Sequence, residues 1–563
     1  MISKIAGASI ALAVVGYSAS AQSLADAKKA IDAEQYQKAK SILKNLTSTQ
    51  ATKDENFFYL GWVYIEQDYV DSARTAFNRG IAANPQSALN FAGLGAADRL
   101  DKNNSGAQQN FDKAVSFAKK DSKPYVYIGE SYLKEPADVN AAITVLNKGI
   151  AVNGKDADLY IELGNAYRSQ LKSNEAYKAY SQALAIDPKS AKANVATGVL
   201  WRFANNFEDS EAQFKAALAT DPNFGPAYRE WAETDLRWAK NVPAQASAKV
   251  KEAADHYKQF LDLTDRSSES QLRYADFLYQ AGDYKGLQQV ANSLTGMSNA
   301  NLRAYRYLGY ADYENADYSG AATALNTFIS KAGNRVIPYD YYYLGRTQIK
   351  LNQNAEGVAN LQKSLAADST SAQAATVYGE LAKAYFANKQ YEKAGDAYRQ
   401  YISRSHNVTL NDYFQEGFSY YFAFQDQYSS TAKPKPTPDQ SLLAKADSAF
   451  AYVNAKLPTP NASATLYRAR VNDFKEADRN NIVGYAKPFY EQYTQLEAAL
   501  TPDKQDKKGL AEAYVYLGSY YEFKEKDAAK ATENYTKARE LDPSNKQVQY
   551  FFSKKSGATG KGK

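Results

Sequence analysis

The sequence has no cysteine and only two histidines, His256 and His406, among its 563 residues. The absence of cysteine excludes disulfides, thiol nucleophiles and cysteine-ligated zinc. The two histidines are 150 positions apart, so a histidine metal site or a serine–histidine catalytic pair would have to be built from one of them. Neither has an oriented partner nearby in sequence, and we expect both to be structural or solvated.

Long apolar runs are also missing after the first 21 residues, and the mean hydropathy is −0.58. A membrane-spanning helix needs about 20 consecutive apolar residues, so we expect no transmembrane span in the mature chain. The net charge of +6, from 68 Lys and Arg against 62 Asp and Glu, is small for this length. No strongly basic face is indicated, and we expect no nucleic-acid partner.

The N-terminus has the pattern of a secretory signal. Lys4 provides the positive start, residues 5–15 form the apolar core, and Ala19-Ser20-Ala21 is a small-x-small cleavage site before Gln22. We predict a signal peptide at 1–21 with cleavage between Ala21 and Gln22; retention as an anchor is the alternative. This predicts export to the periplasm or envelope of a Gram-negative bacterium.

A bulky residue followed by a small one recurs along the chain with a fixed period. Gly61, Gly95, Gly129, Gly164 and Gly198 are 34, 34, 35 and 34 residues apart. In most units an aromatic lies four positions before the small residue, and often another lies three positions after it. This spacing is one face of an amphipathic helix. The fixed period indicates an array of one repeated unit.

A second amphipathic segment follows in each unit, with small and large residues alternating as in Ala176, Tyr180 and Ala183. Many units close with Asp or Asn before proline, for example Asp187-Pro188, and proline stops a helix. Two antiparallel helices pack closely only where a small residue lets their backbones approach, so Gly or Ala is predicted to mark their crossing. Each repeat is expected to contact mainly its neighbours.

This pattern resembles the tetratricopeptide repeat over nearly the whole mature length. One unit matches the family motif at every diagnostic position, namely Tyr160, Leu163, Gly164, Tyr167, Ala176, Tyr180, Ala183 and Pro188. The resemblance implies an all-α fold, a right-handed α-solenoid of about 13 stacked helix-turn-helix units. It says little about function, because the diagnostic positions are structural.

Irregularities in the repeat predict the domain boundaries. The predicted segments after the signal are an N-terminal array at 22–262, a central array at 263–424, disturbed units with a Pro-rich insertion at 425–505, a C-terminal unit and cap at 506–552, and a disordered basic tail at 553–563.

Catalytic motifs are absent from the sequence. It contains no phosphate-binding loop, H-E-x-x-H helix, EF-hand loop or G-x-S-x-G elbow. No stretch outside the repeats is long enough to hold an enzyme domain. We predict a non-enzymatic protein without cofactor or metal.

In arrays of this type, the first helix of each pair lines the concave surface. The positions that flank the packing aromatics there carry mainly arginine and aromatic residues. They are Arg168, Arg202, Arg229, Arg237, Arg303, Arg306, Tyr310, Tyr313, Tyr342, Arg346, Lys350, Lys383, Phe414, Phe418, Tyr421 and Phe422. Arginine pairs with carboxylates and stacks on aromatic rings, and tyrosine gives a large contact area. We predict a surface for acidic or extended protein segments; the alternative is that these residues serve packing and solvation.

The carboxylate clamp of chaperone-binding family members is only partly matched. Ile161 stands where the clamp lysine would be, and Asn165 alone fits. Three functions therefore stay open. We favour a scaffold or adaptor of the bacterial envelope that binds protein segments. The others are a glycan- or peptidoglycan-binding protein that uses the aromatics at 310–342 and 414–422, and a structural part of a secretion or motility assembly.

Overall fold

The computed structural model describes residues 23–434, 436–476 and 481–559. The predicted signal peptide, with its cleavage site between Ala21 and Gln22, lies outside these residues. Within them the chain forms 29 α-helices and no strand, which confirms the all-α solenoid class. A search of the same residues finds no helix with the length and apolar character that crossing a membrane requires.

The chain divides into two compact units between Tyr307 and Leu308, called unit 1 and unit 2 below. The helices of unit 1 are α1 (Leu24–Asp32), α2 (Tyr36–Thr49), α3 (Asp54–Glu66), α4 (Val70–Ala83), α5 (Ala88–Leu100), α6 (Asn104–Ala118), α7 (Lys123–Leu133), α8 (Val139–Val152), α9 (Ala157–Ser169), α10 (Ser173–Ile186), α11 (Ala191–Phe203), α12 (Phe207–Thr220), α13 (Gly225–Asn241), α14 (Ala246–Leu263), α15 (Ser268–Ala281) and α16 (Tyr284–Thr295).

Helix α17 (Leu302–Glu314) contains the division. The helices of unit 2 that follow it are α18 (Tyr318–Ala332), α19 (Pro338–Lys350), α20 (Asn354–Ala367), α21 (Ala372–Ala387), α22 (Tyr391–Arg404), α23 (Leu410–Ser429), α24 (Gln440–Ala455), α25 (Ala462–Asp473), α26 (Lys487–Ala498), α27 (Lys507–Ser519), α28 (Ala528–Leu541) and α29 (Lys546–Thr559). In the described part of the chain, consecutive helices form fourteen hairpins, and α29 follows the last one.

The two helices of a hairpin cross where the sequence places a residue without a side chain. A Cβ atom on Gly164 of α9 would lie 2.3 Å from Cε1 of Tyr180 on α10. One on Gly345 of α19 would lie 2.8 Å from Cγ of Leu361 on α20. Both distances are far below van der Waals contact, so no larger residue fits. At these two hairpins the prediction that a small residue marks the crossing is confirmed.

The hairpin turns place a residue in the left-handed backbone region seven positions after the crossing residue. The φ angles are 61° at Asp68, 59° at Leu171, 59° at Asn205 and 62° at Asn352. Asparagine and aspartate tolerate this conformation, whereas leucine is strained by its Cβ atom. Leu171 is also 87% exposed, so packing does not offset the strain.

The disturbed zone begins one turn later than the sequence indicates. Helix α23 extends to Ser429, and the described residues between 430 and 439 are non-helical, where the prolines lie. Helices α25 and α26 then form a hairpin with a longer connection than the other units have.

The last helix extends beyond the predicted end of the folded chain. Helix α29 reaches Thr559, seven residues into the segment from 553 that is expected to be a disordered tail. The Phe551 ring lies 4.3 Å from that of Tyr535, and Arg539 lies 4.0 Å from the Phe552 ring. These contacts fix α29 on α28, and the helix continues from this anchored start.

We predict that Leu171→Gly stabilises the α9–α10 hairpin. Removing the Cβ relieves about 1–2 kcal/mol of left-handed strain, and the greater freedom of glycine in the unfolded chain takes back about 0.5–1 kcal/mol. The net gain of about 0.5–1 kcal/mol is measurable from hydrogen exchange of α9 and α10 amides. Leu171→Ala keeps the Cβ and should give no gain. Faster exchange in the glycine variant would contradict the assignment of strain.

Candidate partner-binding surfaces

The inner face of unit 1 is filled by its own side chains. The Tyr127 ring of α7 lies 4.7 Å from the rings of both Phe58 and Trp62 on α3. Nearby, Lys134 Nζ donates to Glu66 at 3.0 Å. The first helices of non-adjacent hairpins therefore touch each other across this face, and little room is left for a segment of another protein.

Unit 1 is also closed by its first hairpin. The turn between α1 and α2 lies against α11 and α13, where Asp32 pairs with Lys192 at 3.0 Å and Glu34 pairs with Arg229. Between them, Ala33 is 3% exposed and belongs to an apolar cluster of α11 to α13. We call this the closing contact. The expectation that each repeat contacts mainly its neighbours is therefore wrong for the first hairpin.

Two of the arginines predicted to bind a partner are neutralised within unit 1. Arg202 pairs with Glu230 at 2.9 Å, and Arg229 pairs with both Glu34 and Glu230. Burial of Arg229 opposes its charge, but Glu34 and Glu230 outweigh this effect and raise its pKa. These guanidinium groups stabilise the fold and are not free to take a carboxylate from another protein.

The remaining predicted arginines of unit 1 differ in whether they have a partner within the chain. Arg237 donates to Asn205 at 2.9 Å, Arg303 lies 3.9 Å from Glu269, and Arg306 interacts with other groups of the chain. Arg168 forms no ion pair with any residue that the structure describes, and its Nε atom is buried without a hydrogen-bond partner.

Two carboxylates on the inner face of unit 1, Glu130 and Glu230, have pKa values shifted in opposite directions. Burial raises the pKa of Glu130 well above its ordinary value, and neighbouring Glu66 and Glu162 raise it further. Glu230 is the opposite case, because Arg229 and Arg202 overcome the effect of burial and lower its pKa. Ionised Glu130 therefore opposes folding, whereas ionised Glu230 supports it.

The predicted tyrosines of unit 2 include two packing residues. Tyr310 is 3% exposed; its hydroxyl donates to Asp340 at 2.6 Å, and its ring stacks on Tyr343 at 4.3 Å. Tyr421 is 7% exposed and lies 5.1 Å from the Tyr467 ring. These two side chains pack within the chain, because the inner positions of adjacent first helices pack on each other.

Phe414 and Phe418 lie in a half-buried aromatic cluster of α23 and its neighbours. The Phe418 ring is 5.8 Å from Phe414, 4.7 Å from Phe422 and 5.0 Å from Tyr467. The ring faces that the sequence offers as stacking platforms are largely used within the cluster.

One arginine of unit 2 has a different environment. The Arg346 guanidinium lies 4.5 Å from the Tyr313 ring and 5.1 Å from the Tyr342 ring. Its Nε atom is buried without a partner, and among the described residues neither Arg346 nor the two hydroxyls form a hydrogen bond or ion pair. Burial raises the pKa of both tyrosines, so their hydroxyls stay protonated. We call these three residues the Arg346 cradle.

The predicted lysines beside this cradle are open to solvent. Lys350 is exposed one turn after Arg346 on α19. Lys383 on α21 is 67% exposed and 3.6 Å from Glu380. Burial opposes the charge of Arg346, but the two tyrosines together with Glu380 and Glu314 outweigh this effect and raise its pKa. The cradle thus offers a guanidinium without an ion-pair partner, which suits a carboxylate.

His256 has a partner that sequence spacing does not suggest. Its Nδ1 lies 2.8 Å from Oδ2 of Asp235, and its ring stacks on Trp231 at 4.0 Å. Asp235 is fully buried and 3.3 Å from Lys249. Asp235 lies six residues before the end of α13 and His256 ten residues after the start of α14, so the spacing around the turn gives no signal for the pair. The arrangement fits the structural role expected for His256.

The architecture defines an α-helical repeat protein, and sequence comparison specifies the repeat. Residues 138–223 and 342–407 match the family model of the tetratricopeptide repeat. The chain therefore contains tetratricopeptide repeats in these two stretches. No curated protein matches the chain in sequence.

Similar solved structures include the following three bacterial proteins. The C-terminal part of a TPR repeat-containing protein from Cytophaga hutchinsonii is 25% identical over 49% of this chain and 97% of that chain, with a TM-score of 0.34. The pilF protein of Pseudomonas aeruginosa is 18% identical over 36% of this chain and 88% of that chain, with a TM-score of 0.30. A tetratricopeptide repeat protein of Parabacteroides merdae is 14% identical over 44% of this chain and 93% of that chain, with a TM-score of 0.29.

Substituting one carboxylate from each environment should change stability in opposite directions. Protonated Glu130 stabilises unit 1, and this contribution is fully present below the pKa that Glu130 has in the unfolded chain. It is lost as the pH rises through the raised pKa of Glu130 in the folded chain. Glu130→Gln cannot ionise, so it should stabilise unit 1 at pH 7.5. Glu230→Gln should destabilise it by about 2 kcal/mol, because Arg202 loses its carboxylate partner and Arg229 keeps only Glu34.

The measurement is hydrogen exchange of α7, α9 and α13 amides at pH 5.0 and 7.5. The gain from Glu130→Gln should be smaller at pH 5.0 than at pH 7.5, because burial raises the pKa of Glu130 and more of the wild-type side chain is protonated at the lower pH. Equal loss of protection in both variants would contradict the two assigned environments.

Proposed function

We propose that this protein is a non-enzymatic scaffold that binds acidic segments of partner proteins at the Arg346 cradle of unit 2. The observation that carries the proposal is the half-buried guanidinium held between two tyrosine rings with no carboxylate partner. Tetratricopeptide repeats serve protein–protein interaction in general, and the cradle gives that role a location and a chemistry.

The geometry suits binding because the guanidinium is already ordered. Tyr313 and Tyr342 hold it by cation–π contact, so little side-chain entropy remains to be lost when a ligand arrives. A carboxylate could accept two hydrogen bonds from Arg346, and Lys350 and Lys383 would attract an acidic segment from a distance.

Unit 1 is less suited to the same task. Its inner face is occupied by Tyr127, Phe58 and Trp62, and Arg202 and Arg229 already have carboxylate partners. Placement of the main partner site in unit 2 follows from this contrast.

The proposal includes export to the envelope of a Gram-negative bacterium. Its support is the charged, apolar and small-residue pattern before Gln22. Mass spectrometry of the protein recovered from the producing cell should give an N-terminal peptide beginning at Gln22. A peptide that retains the residues before Ala21 would favour the anchor alternative.

Arg346→Gln should weaken binding of an acidic peptide at least tenfold. The variant keeps a side chain of similar length but loses the charge and the paired donors. The probe is a fluorescein-labelled peptide of six Glu-Ala repeats, titrated against the full chain in low salt and followed by anisotropy. Arg346→Lys should recover only part of the affinity, because an ammonium group cannot form the two parallel hydrogen bonds.

Arg404→Gln is the matched control. Arg404 is an exposed arginine of unit 2 that lies 5.2 Å from the Tyr378 ring, outside the cradle. Its removal changes the net charge equally and should leave the affinity nearly unchanged. If both variants lose the same affinity, the peptide binds by diffuse charge and the cradle is not the site.

A further inference from the structure

The closing contact of unit 1 has the composition of a bound ligand. Two carboxylates, Asp32 and Glu34, flank one small residue, Ala33. Each carboxylate meets a cation on another hairpin, Lys192 for Asp32 and Arg229 for Glu34. An acidic-small-acidic segment is thus recognised by two cations with an apolar notch between them.

The notch holds the buried side chain of Ala33. Ala33 packs in a buried cluster with Val199, Phe224 and other apolar residues of α11 to α13. A Cβ atom on Gly225 would lie 3.2 Å from the Ala33 carbonyl oxygen, so this glycine permits the close approach. The contact therefore combines apolar packing with paired charges.

The contact is nevertheless shallow. Of residues 32–35, only Ala33 is buried. The side chains of Asp32 and Lys192 are 45% and 41% exposed, and those of Glu34 and Arg229 are 23% and 32% exposed. Partly exposed ion pairs are weak and are screened by salt, so such a contact can be replaced by a competitor.

Space adjoins the closing contact on the inner side. A cavity of about 290 Å³ is bordered by Asp32, Glu34, Lys192 and Arg229, and Arg168 also lines it. The Nε atom of Arg168 is buried there without a hydrogen-bond partner. A longer acidic segment in the notch could extend toward this arginine.

We propose that the notch formed by Lys192, Val199, Phe224 and Arg229 is a second docking surface, which accepts an acidic-small-acidic segment of another protein. Residues 32–34 of the chain itself occupy it until such a segment displaces them. This surface belongs to unit 1 and does not depend on the Arg346 cradle.

The probe is the synthetic peptide of residues 29–37, KAIDAEQYQ, and its charge-reversed form KAIKAKQYQ. Both are titrated against the full wild-type chain and against the full chain with Asp32→Lys and Glu34→Lys, which releases the internal segment. The released chain should bind the native peptide at least tenfold more tightly than the wild type does. It should bind the reversed peptide at least tenfold more weakly than the native one.

A triple variant separates the notch from the added positive charge. Adding Gly225→Val to the released chain keeps its charge and fills the notch, so the gain in affinity should disappear. Any binding at the Arg346 cradle is common to all these chains and cancels in the comparison. Equal affinity of wild-type and released chains, or a gain that persists in the triple variant, would overturn the proposal.

Hydrogen exchange checks that the released chain is folded. The amides of α1 and of the turn at 33–35 should lose protection, while those of α5 to α10 should keep it. If the charge reversal unfolds unit 1, Asp32→Asn with Glu34→Gln gives the same test with a milder release. The milder variant should also bind the native peptide more tightly than the wild type does, and more tightly than it binds the reversed peptide. Failure to observe this order would overturn the proposal as well.

Discussion

The close crossing of paired helices at a residue without a side chain is the constraint on which the rest of the structure depends. At Gly164 and Gly345 the backbone of the first helix lies directly against a large side chain of the second, Tyr180 or Leu361. This contact fixes the rotation of the first helix about its axis. Rotation in turn decides which positions face inward, and Arg346 occupies the position immediately after such a crossing.

The two units use inward arginines in opposite ways. Arg202 and Arg229 are neutralised by carboxylates of neighbouring hairpins, so they contribute to the closure of unit 1. Arg346 is held by Tyr313 and Tyr342 without a carboxylate. An arginine kept without its counterion adds little to the stability of the fold, and such local exceptions are where binding sites are expected.

The sequence predicts what depends on neighbouring residues. The 34-residue period, the helix pairs and the crossing glycines follow from patterns within one repeat, and the inner positions follow from the helix period. The closing contact could not be predicted in this way, because Glu34 and Arg229 are 195 positions apart. Their meeting depends on small rotations summed over six hairpins. For the same reason, the pattern locates Arg346 and Arg229 equally well but cannot tell that only one has an acidic partner.

The most direct test of this account is hydrogen exchange of the full wild-type chain with and without a saturating acidic peptide of six Glu-Ala repeats. The account predicts new protection in α19 and α21, around Arg346 and Lys383, and little change in α3 to α10 of unit 1. Protection spread evenly over both units, or confined to α3 to α10, would contradict the claim that the open arginine of unit 2 is the main binding site.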